Sequence, residues 1–235
     1  MLSLTHRHLQ PEVMDRPDLE QHRHWRALQG LERINWVSGS AGILWPTIRR
    51  LAEESSGEPL GILDVACGAG DISIGLFRRA ARAGLNVKLD AADISSQALD
   101  HARRRAELAG AKIRFFQQDA LGSDFPGDYD VVFSSLFLHH LSEEQAVNLL
   151  QRMARASRRM VLISDLARCR LGWLAAYLAT RVLTTSDVVH TDGPLSVEGA
   201  FTPEEALALA HRAGLHGATV IRRWPFRFLL TWRPE

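Results

Sequence analysis

Residues 62–74 read ILDVACGAGDISI, an apolar run with one acid, Asp64, followed by two closely spaced glycines, Gly68 and Gly70. Apolar residues then resume at helical spacing, so the pattern predicts a buried strand, a tight turn and a helix. In an open α/β sheet, ligands bind beyond the carboxyl ends of the strands. Because glycine has no side chain, such a turn lets a ligand approach the backbone. The stretch therefore predicts an α/β fold with a ligand site at the first strand-to-helix turn.

From residue 60 onward the chain alternates short apolar runs with amphipathic helices, which is typical of a parallel, doubly wound sheet. The pattern predicts a Rossmann-like fold with a seven-stranded, mostly parallel sheet that ends in an antiparallel hairpin. Strands are predicted near 61–66, 86–92, 112–117, 129–134, 158–164, 217–222 and 226–232. Helices are predicted near 71–83, 95–109, 143–156, 170–182 and 203–213.

The chain divides into a short N-terminal part and one main domain. Residues 1–58 are predicted as a mobile polar arm followed by a helical cap, whose helices fall near 18–36 and 43–55. Residues 59–235 are predicted as the main domain. Within it, residues 166–202 are expected to form a helix and a long loop over the ligand pocket.

Composition and charge restrict the class of protein. The 235 residues are 46% hydrophobic and carry a formal net charge of +1, which describes a globular chain with no bulk attraction for nucleic acid. The two cysteines, Cys67 and Cys169, form no C-x-x-C pair and signal neither a zinc framework nor a disulfide scaffold. The most apolar run, 171–183, is too short to span a bilayer, and residues 1–17 lack the core of a signal peptide. We therefore expect a cytoplasmic protein with no metal, membrane span or nucleic-acid partner, in an oligomeric state that the sequence does not indicate.

Polar side chains end the next three predicted strands. Asp93 lies 23 residues after Gly70, where a carboxylate accepts both ribose hydroxyls of an adenine nucleoside. Asp119 follows the third strand and is placed to accept a hydrogen bond from the adenine amine. The fourth strand ends in DYDVVFSSLFLHHLS (128–142), which brings polar side chains to the same rim. The pattern predicts an adenosine-binding site.

A dinucleotide site is one reading of the turn, but two residues disfavour it. The fingerprint G-x-G-x-x-G requires a third glycine, and Ser73 stands in that place. Asp64 lies on the strand itself, where a cofactor with an ammonium group would balance its charge and a pyrophosphate would not. An NAD(P)-dependent oxidoreductase therefore remains the alternative rather than the preferred reading.

Four motifs in order resemble the class I S-adenosylmethionine-dependent methyltransferases. ILDVACGAGD is similar to the family's first motif, acid-x-Gly-x-Gly-x-Gly; AADIS, QQDA and DYDVVFSSLFLHHLS resemble its ribose, adenine and fourth motifs. The resemblance covers roughly residues 60–165 and departs at Ala66, where the family commonly has glycine. It implies S-adenosylmethionine as cofactor and S-adenosylhomocysteine as product. The pattern is also similar to bacterial methyltransferases of polyketide and quinone pathways, and so to secondary metabolism.

The resemblance assigns a set of residues to the cofactor. The amino-acid end, the ribose and the adenine would lie along Asp64, Ala66, Gly68, Gly70, Asp93, Ile94, Asp119, Ala120 and Ser134. For Asp93 the other reading is a surface helix cap ahead of Ser95, and for Asp119 a simple loop residue. The order of the motifs favours the site.

The acceptor is expected to be a small molecule. Family members that methylate adenine, cytosine or glutamine nitrogen usually carry a Pro-Pro-aromatic grip in the fourth motif, and SSLFLHH has no proline. Trp25, Trp36, Trp45, Trp173 and Tyr177 lie on helices expected to cap the pocket, although aromatic residues at helical spacing are more often core. We predict an aromatic or lipophilic acceptor, with oxygen favoured over carbon as the methylated atom.

A hydroxyl acceptor is helped by a general base, and histidine is the natural candidate. His139 and His140 follow the fourth strand, although many family members have histidine there as a wall of the cofactor pocket. His190, in the predicted loop 184–205, is the other candidate base. If none of the three acts as a base, positioning alone carries catalysis.

Three further residues are candidates for binding the acceptor. Asp165 and Arg168 follow the fifth strand and could together fix a substrate oxygen or carboxylate; the other reading is a helix cap and its salt-bridge partner. Asp192 lies in the predicted loop. A non-catalytic protein that binds S-adenosylmethionine as a sensor or scaffold is the remaining alternative.

Overall fold

The computed structural model describes residues 4–16, 18–55 and 57–234. The strands are β1 Leu60–Val65, β2 Val87–Asp93, β3 Ile113–Gln117, β4 Tyr129–Ser135, β5 Ser157–Leu166, β6 Thr219–Arg223 and β7 Arg227–Trp232. The helices are α1 Gln21–Val37, α2 Ser40–Glu53, α3 Asp71–Arg82, α4 Ser96–Leu108, α5 Glu143–Ala156, α6 Arg170–Leu183, α7 Asp187–Gly199 and α8 Pro203–Arg212. Short 3-10 turns occur at Val13–Asp15 and Leu138–His140.

The seven strands form one sheet in the order β3-β2-β1-β4-β5-β7-β6. The strands β3, β2, β1, β4 and β5 run parallel to one another, and β7 runs antiparallel to both β5 and β6. This confirms the predicted Rossmann-like, doubly wound sheet with its terminal antiparallel hairpin. The polar residues that end β1, β2, β4 and β5 therefore meet at one end of the sheet, called here the carboxyl end.

Alternate residues of the central strands belong to two hydrophobic cores on opposite faces of the sheet. On β1, Leu60 and Ile62 pack on the side of α2, α3 and α4, whereas Leu63 and Val65 pack on the side of α5 and α8. Because both faces are covered by helices, these strands are apolar almost throughout. That is why short continuous apolar runs were a sufficient signal for them.

The segment predicted as a long loop over 184–205 is instead largely helical, which corrects the sequence expectation. Helix α7 occupies Asp187–Gly199 and contains both Gly193 and Pro194, residues that normally argue against a helix. Ser186 caps its start by accepting a hydrogen bond from the Val189 amide. Burial of apolar α7 side chains, among them Val188 and Val189, offsets the cost of the interior proline.

The arm predicted as mobile is packed along α7 over its described residues. The Arg7 guanidinium donates to the carbonyl of Gly199 at 2.5 Å, and the His8 amide donates to the carbonyl of Glu198 at 3.0 Å. The Asp192 carboxylate accepts the backbone amides of Val13 and Met14 at 2.8 and 3.0 Å. These contacts join segments about 180 residues apart, so local polarity gave no sign of them.

Gly193 allows α7 to pack closely on α6, which gives a test of this part of the fold. A Cβ at Gly193 would lie 2.4 Å from Cγ2 of Thr180. Thr180 is buried and its hydroxyl donates to the Tyr177 carbonyl, so the methyl group cannot simply rotate away. We expect Gly193→Ala to lower the free energy of unfolding by about 1–2 kcal/mol, measured by thermal and urea denaturation.

The matched control is the double variant Thr180→Ser/Gly193→Ala, which removes the clashing methyl group and keeps the hydroxyl. It should recover most of the lost stability, because alanine is otherwise the better helix former. A Gly193→Ala variant as stable as the original chain would contradict the packing described here.

Candidate active site

The turn after β1 has the backbone of a ligand cradle. Ala66, Gly68 and Gly70 have φ values of 58°, 53° and 70°, a left-handed conformation that favours glycine. A Cβ added at Gly68 would meet nothing within 4 Å, whereas one at Gly70 would lie 3.0 Å from the side chains of Ala102 and Phe115. Gly70 thus lets the turn pack on α4 and β3, and Gly68 leaves open space above the backbone. Ala66 adopts this left-handed conformation although it carries a Cβ atom.

Asp64 lies beneath this turn and is not open to solvent. The Ser73 hydroxyl, on the first turns of α3, donates to the Asp64 carboxyl group. Burial raises the pKa of Asp64 well above its usual value, and the Ser73 hydrogen bond opposes that rise. Ser73, which replaces the third glycine of a dinucleotide turn, therefore has a specific partner. Asp64 therefore supports the turn from the protein interior, through its hydrogen bond with Ser73.

Asp93, at the end of β2, is held against the glycine turn. Its Oδ2 accepts the Gly68 amide at 2.7 Å, and its Oδ1 accepts the Ser95 amide at 2.9 Å. Asp93 is not itself the helix cap, because Ser95 supplies the cap of α4; Asp93 accepts the amide of that cap residue. Each carboxylate oxygen has a second acceptor position, so Asp93 can also receive two hydroxyl donors. Ile94, with a relative exposure of 63%, places an apolar side chain beside it.

The other predicted cofactor residues differ in their surroundings. The Asp119 carboxylate is exposed and accepts the Leu121 amide at 2.8 Å, which shapes the loop after β3. Ala120 is buried in the core next to it. Ser134 is also buried, and its hydroxyl donates to the Val65 carbonyl at 2.8 Å, so it links β4 to β1. Ser134 thus fixes the strand that leads into the turn.

The ends of β4 and β5 place His139 directly against Asp165. Nδ1 of His139 lies 2.7 Å from Oδ1 of Asp165, and the His139 amide donates to Oδ2 at 3.1 Å. Both side chains are buried. Burial opposes ionisation of Asp165, but the neighbouring His139 and the hydrogen bonds outweigh it and hold the pKa of Asp165 below its ordinary value. An ionised Asp165 accepts the proton on Nδ1 of His139 and orients the ring so that Nε2 faces the arm.

The N-terminal arm brings a carboxylate to the other side of this histidine. Oε1 of the buried Glu12 lies 3.8 Å from Nε2 of His139 and 3.9 Å from Nδ1 of His140. The two imidazole rings are 4.2 Å apart. The Arg7 guanidinium donates to the His139 carbonyl at 2.8 Å, which ties the arm to the same turn. Sequence reasoning missed Glu12, because nothing local marks a polar arm residue as a neighbour of a strand end 127 residues away.

A buried arginine that the sequence analysis did not select lies between the two halves of the site. Arg227, at the start of β7, donates to the Ser40 hydroxyl at 2.6 Å and to the Ser38 hydroxyl at 3.0 Å. Burial lowers its pKa to about 10, and the fields of Asp165 and Asp71 oppose the shift. Arg227 therefore places positive charge near both the glycine turn and the end of β5. A single arginine in an apolar strand gave no sequence signal for this role.

Three predicted site residues have other contacts. Arg168 forms a bidentate ion pair with Glu205 and donates to the carbonyls of Leu4 and Ala200, so it pairs with α8 and not with Asp165. The Asp192 carboxylate holds the 3-10 turn of the arm. Nε2 of His190 lies 2.9 Å from the Thr184 carbonyl, which makes it a donor at that atom. The structure does not bring these three into contact with His139.

Known proteins match this chain in sequence and fold. Residues 62–159 match the family described as Methyltransferase domain. A demethylmenaquinone methyltransferase of Thermus thermophilus is 34% identical over 131 residues, which cover 54% of this chain and 56% of that protein. A ubiquinone biosynthesis O-methyltransferase of Bordetella parapertussis is 28% identical over 185 residues, covering 78% and 68%. The chain spans about half the length of the first two curated relatives it matches.

Solved structures share the fold. The plantazolicin methyltransferase BpumL, in complex with SAH, superposes with a TM-score of 0.64 at 16% identity, over 93% of this chain and 90% of that one. Magnesium protoporphyrin IX methyltransferase from Synechocystis, with bound SAH, gives a TM-score of 0.59 at 17% identity, over 91% and 98%.

The sheet order defines a Rossmann-like fold, and the family match over residues 62–159 is to a methyltransferase domain. Residues 62–159 form a class I S-adenosylmethionine-dependent methyltransferase domain. S-adenosylmethionine is the cofactor of this class. The residues present fit it: the open space above Gly68 leaves room for a ligand, Asp93 can accept two hydroxyls, and Ile94 offers an apolar face.

Proposed function

We propose that this chain methylates a hydroxyl oxygen of a small aromatic or lipophilic molecule and releases S-adenosylhomocysteine. One observation carries the proposal. The buried pair His139–Asp165 and the turn held by Gly68 and Asp93 lie at the same end of one sheet, on strands that neighbour each other. One end of the sheet thus offers an adenosine cradle and, beside it, a histidine with a fixed tautomer.

Asp93 would hold the ribose, and the backbone at Gly68 and Gly70 would lie along the amino-acid end of the cofactor. Ile94, Asp119 and Ala120 would frame the adenine. Ala66, Asp64 and Ser134 support this surface from within, through the backbone conformation at 66 and the hydrogen bonds of the other two. S-adenosylmethionine, when bound, supplies an electrophilic methyl group, so the protein's task is mainly to position and activate the acceptor.

His139 is the residue placed to activate a hydroxyl. Asp165 fixes its Nδ1 proton, so the Nε2 lone pair faces the arm, and a hydroxyl bound there becomes a better nucleophile as its proton is drawn away. Asp165 is thus a positioning residue for His139 and does not itself bind the acceptor. His140 forms the adjacent wall, with its ring 4.2 Å from that of His139. Arg168, Asp192 and His190 have structural partners and take no part in the proposal.

The acceptor class is supported by the helices around this end of the sheet. On α6, Trp173 and Tyr177 stack with ring centroids 5.5 Å apart, and the Trp173 indole donates to Glu198 of α7. The two relatives named above are described as quinone-related methyltransferases, which fits a phenol or quinol acceptor. We infer an acceptor with an apolar ring and a free hydroxyl.

We also infer a cytoplasmic location for this chain. Among the described residues, no helix has the length and apolar character needed to cross a membrane.

Titration calorimetry tests the cofactor half of this proposal. The chain should bind S-adenosylhomocysteine and show no heat with NAD⁺ or NADP⁺, because Ser73 stands where a dinucleotide turn has its third glycine and donates to the carboxyl group of Asp64. Binding of NAD(P) without a response to S-adenosylhomocysteine would favour the oxidoreductase alternative. Cofactor binding with no turnover over a panel of phenols, catechols and quinols would favour a non-catalytic role.

A further inference from the structure

Three potential metal ligands converge where the arm meets the end of β4. Oε1 of Glu12, Nε2 of His139 and Nδ1 of His140 all lie within 4.8 Å of one another. The distances from Glu12 to the two imidazole nitrogens, 3.8 and 3.9 Å, are too long for hydrogen bonds. The spacing leaves room for an atom that bridges the three groups.

The groups behind these ligands are arranged as they are around bound metals. A histidine ligand usually donates its other ring N–H to a carboxylate, which orients the ring and raises its basicity. His139 has this arrangement, with Asp165 at 2.7 Å on the nitrogen that faces away from Glu12. The Ser196 hydroxyl donates to Oε1 of Glu12 at 2.5 Å and so orients the carboxylate. The three proposed ligands and the two groups that orient them therefore come from the arm, the 138–140 turn, β5 and α7.

The local charge accommodates a cation. Burying the carboxylates of Glu12 and Asp165 is costly unless positive charge is close. Arg7 supplies one positive charge nearby, through its contact with the His139 carbonyl. Arg227 places a second positive charge near Asp165, so the Glu12 carboxylate is the group that would compensate the charge of a bound cation.

We propose that Glu12, His139 and His140 form a binding site for a divalent transition-metal cation such as Zn²⁺. Two imidazoles and one carboxylate are a known ligand set for catalytic zinc, which keeps a fourth position open. Ligand atoms about 2.1 Å from a tetrahedral ion lie roughly 3.4 Å apart, so Glu12 needs to approach each of the two imidazole nitrogens by about half an ångström. Glu12 is on the arm, the element best able to make that adjustment. The sequence, with no C-x-x-C pair, predicted no metal.

The binding claim stands by itself, but the role of the ion rests on the proposed function. In its open position the ion would hold the acceptor oxygen and lower the pKa of the hydroxyl, whose proton leaves to solvent water. His139 is then a ligand, and it activates the hydroxyl through the ion. The ion would add one more link between the arm and the end of β4, so removing it should loosen the arm without releasing its hydrogen bonds to α7.

Zinc binding by the untagged full chain is the test. After treatment with a chelator, the protein should take up about one Zn²⁺ per chain by calorimetry and elemental analysis. Glu12→Gln and His140→Ala should each weaken binding at least about 10-fold, as expected when one ligand of three is lost. His211→Ala, which removes a histidine from the last turn of α8, is the control and should bind as the original chain does.

Proteolysis gives a second readout that does not depend on activity. Zn²⁺ should slow cleavage within residues 4–16 of the original chain and have no such effect on Glu12→Gln. Absence of Zn²⁺ and Mn²⁺ binding, or binding that both ligand variants leave unchanged, would overturn the site. If the chelated chain still methylates a phenol and His139→Ala abolishes that activity, the role of the ion in activating the hydroxyl is overturned and the proposed function stands. If the chain binds Zn²⁺ at these residues but methylates nothing, the metal site stands and the proposed function fails.

Discussion

Replacing Asp93 with alanine should weaken binding of S-adenosylhomocysteine by at least about 100-fold. Each hydrogen bond from a hydroxyl to a carboxylate contributes about 1.5–3 kcal/mol, and Asp93 is placed to accept two. The variant also removes the acceptor of the Gly68 amide, so the glycine turn loses one of its supports. Titration calorimetry measures the effect directly, and the heat of unfolding shows whether the variant remains folded.

Asp100→Ala is the matched control for this prediction. Asp100 lies on α4, a few residues further along the chain, and its carboxylate is exposed and paired with Arg103. The control should bind S-adenosylhomocysteine as tightly as the original chain. If Asp93→Ala and Asp100→Ala have the same affinity, Asp93 does not hold the ribose and the cofactor lies elsewhere.

Replacing His139 with alanine should lower kcat by roughly 10²- to 10⁴-fold, with little change in S-adenosylhomocysteine affinity. The imidazole activates the acceptor and is not among the groups assigned to the cofactor, so the loss should appear in turnover. Asp165→Asn should lower kcat as well, because an amide can no longer select the tautomer that carries its proton on Nδ1. Steady-state kinetics with a phenol or quinol acceptor measures both.

His190→Ala separates the histidines, since Nε2 of His190 is held by the Thr184 carbonyl. We expect its kcat to stay within a few-fold of the original value. A large loss in His190→Ala together with a small one in His139→Ala would move the activating group to α7.

The pKa of Asp165 is held low by His139 and its hydrogen bonds, so this carboxylate stays ionised as the pH falls through the ordinary range of aspartate. The support that it gives to His139 should therefore be lost only in stronger acid.

The fold could be predicted because each strand carried its own signal. The strands are buried on both faces, so their apolar runs are continuous, and the glycine turn marked where β1 ends. The same turn predicted a ligand site, and the structure joins Gly68 to Asp93 by a hydrogen bond that the sequence analysis had not specified. Local sequence was informative wherever local structure decided the outcome.

The parts that could not be predicted depend on contacts between distant segments. Helix α7 was not predicted because Gly193 and Pro194 disfavour a helix locally. The packing of α7 against α6, which offsets that cost, is a tertiary contact that the local sequence does not show. The arm looked mobile, because Asp192 and Ser196, which hold it, are about 180 residues away. Glu12 was overlooked for the same reason.

Some candidate residues were selected correctly as polar groups at the carboxyl end, but with the wrong partners. Arg168 follows β5 as expected, yet Glu205 of α8 takes its guanidinium. Asp165 instead contacts His139. This contact requires β4 and β5 to be neighbouring strands and the 138–140 turn to bring His139 towards the end of β5. The sequence placed these residues at one end of the sheet but could not decide which would touch.

The central claim, transfer of a methyl group to an acceptor oxygen, is tested most directly by isotope labelling. The chain is incubated with S-adenosylmethionine carrying a ¹³C methyl group and with a panel of phenols, catechols and quinols, and the products are analysed by mass spectrometry and NMR. We predict a product with one ¹³C methyl group on oxygen, absent when His139→Ala is used. A ¹³C methyl group found only on ring carbon, or no labelled product from any acceptor while S-adenosylhomocysteine binds, would contradict it.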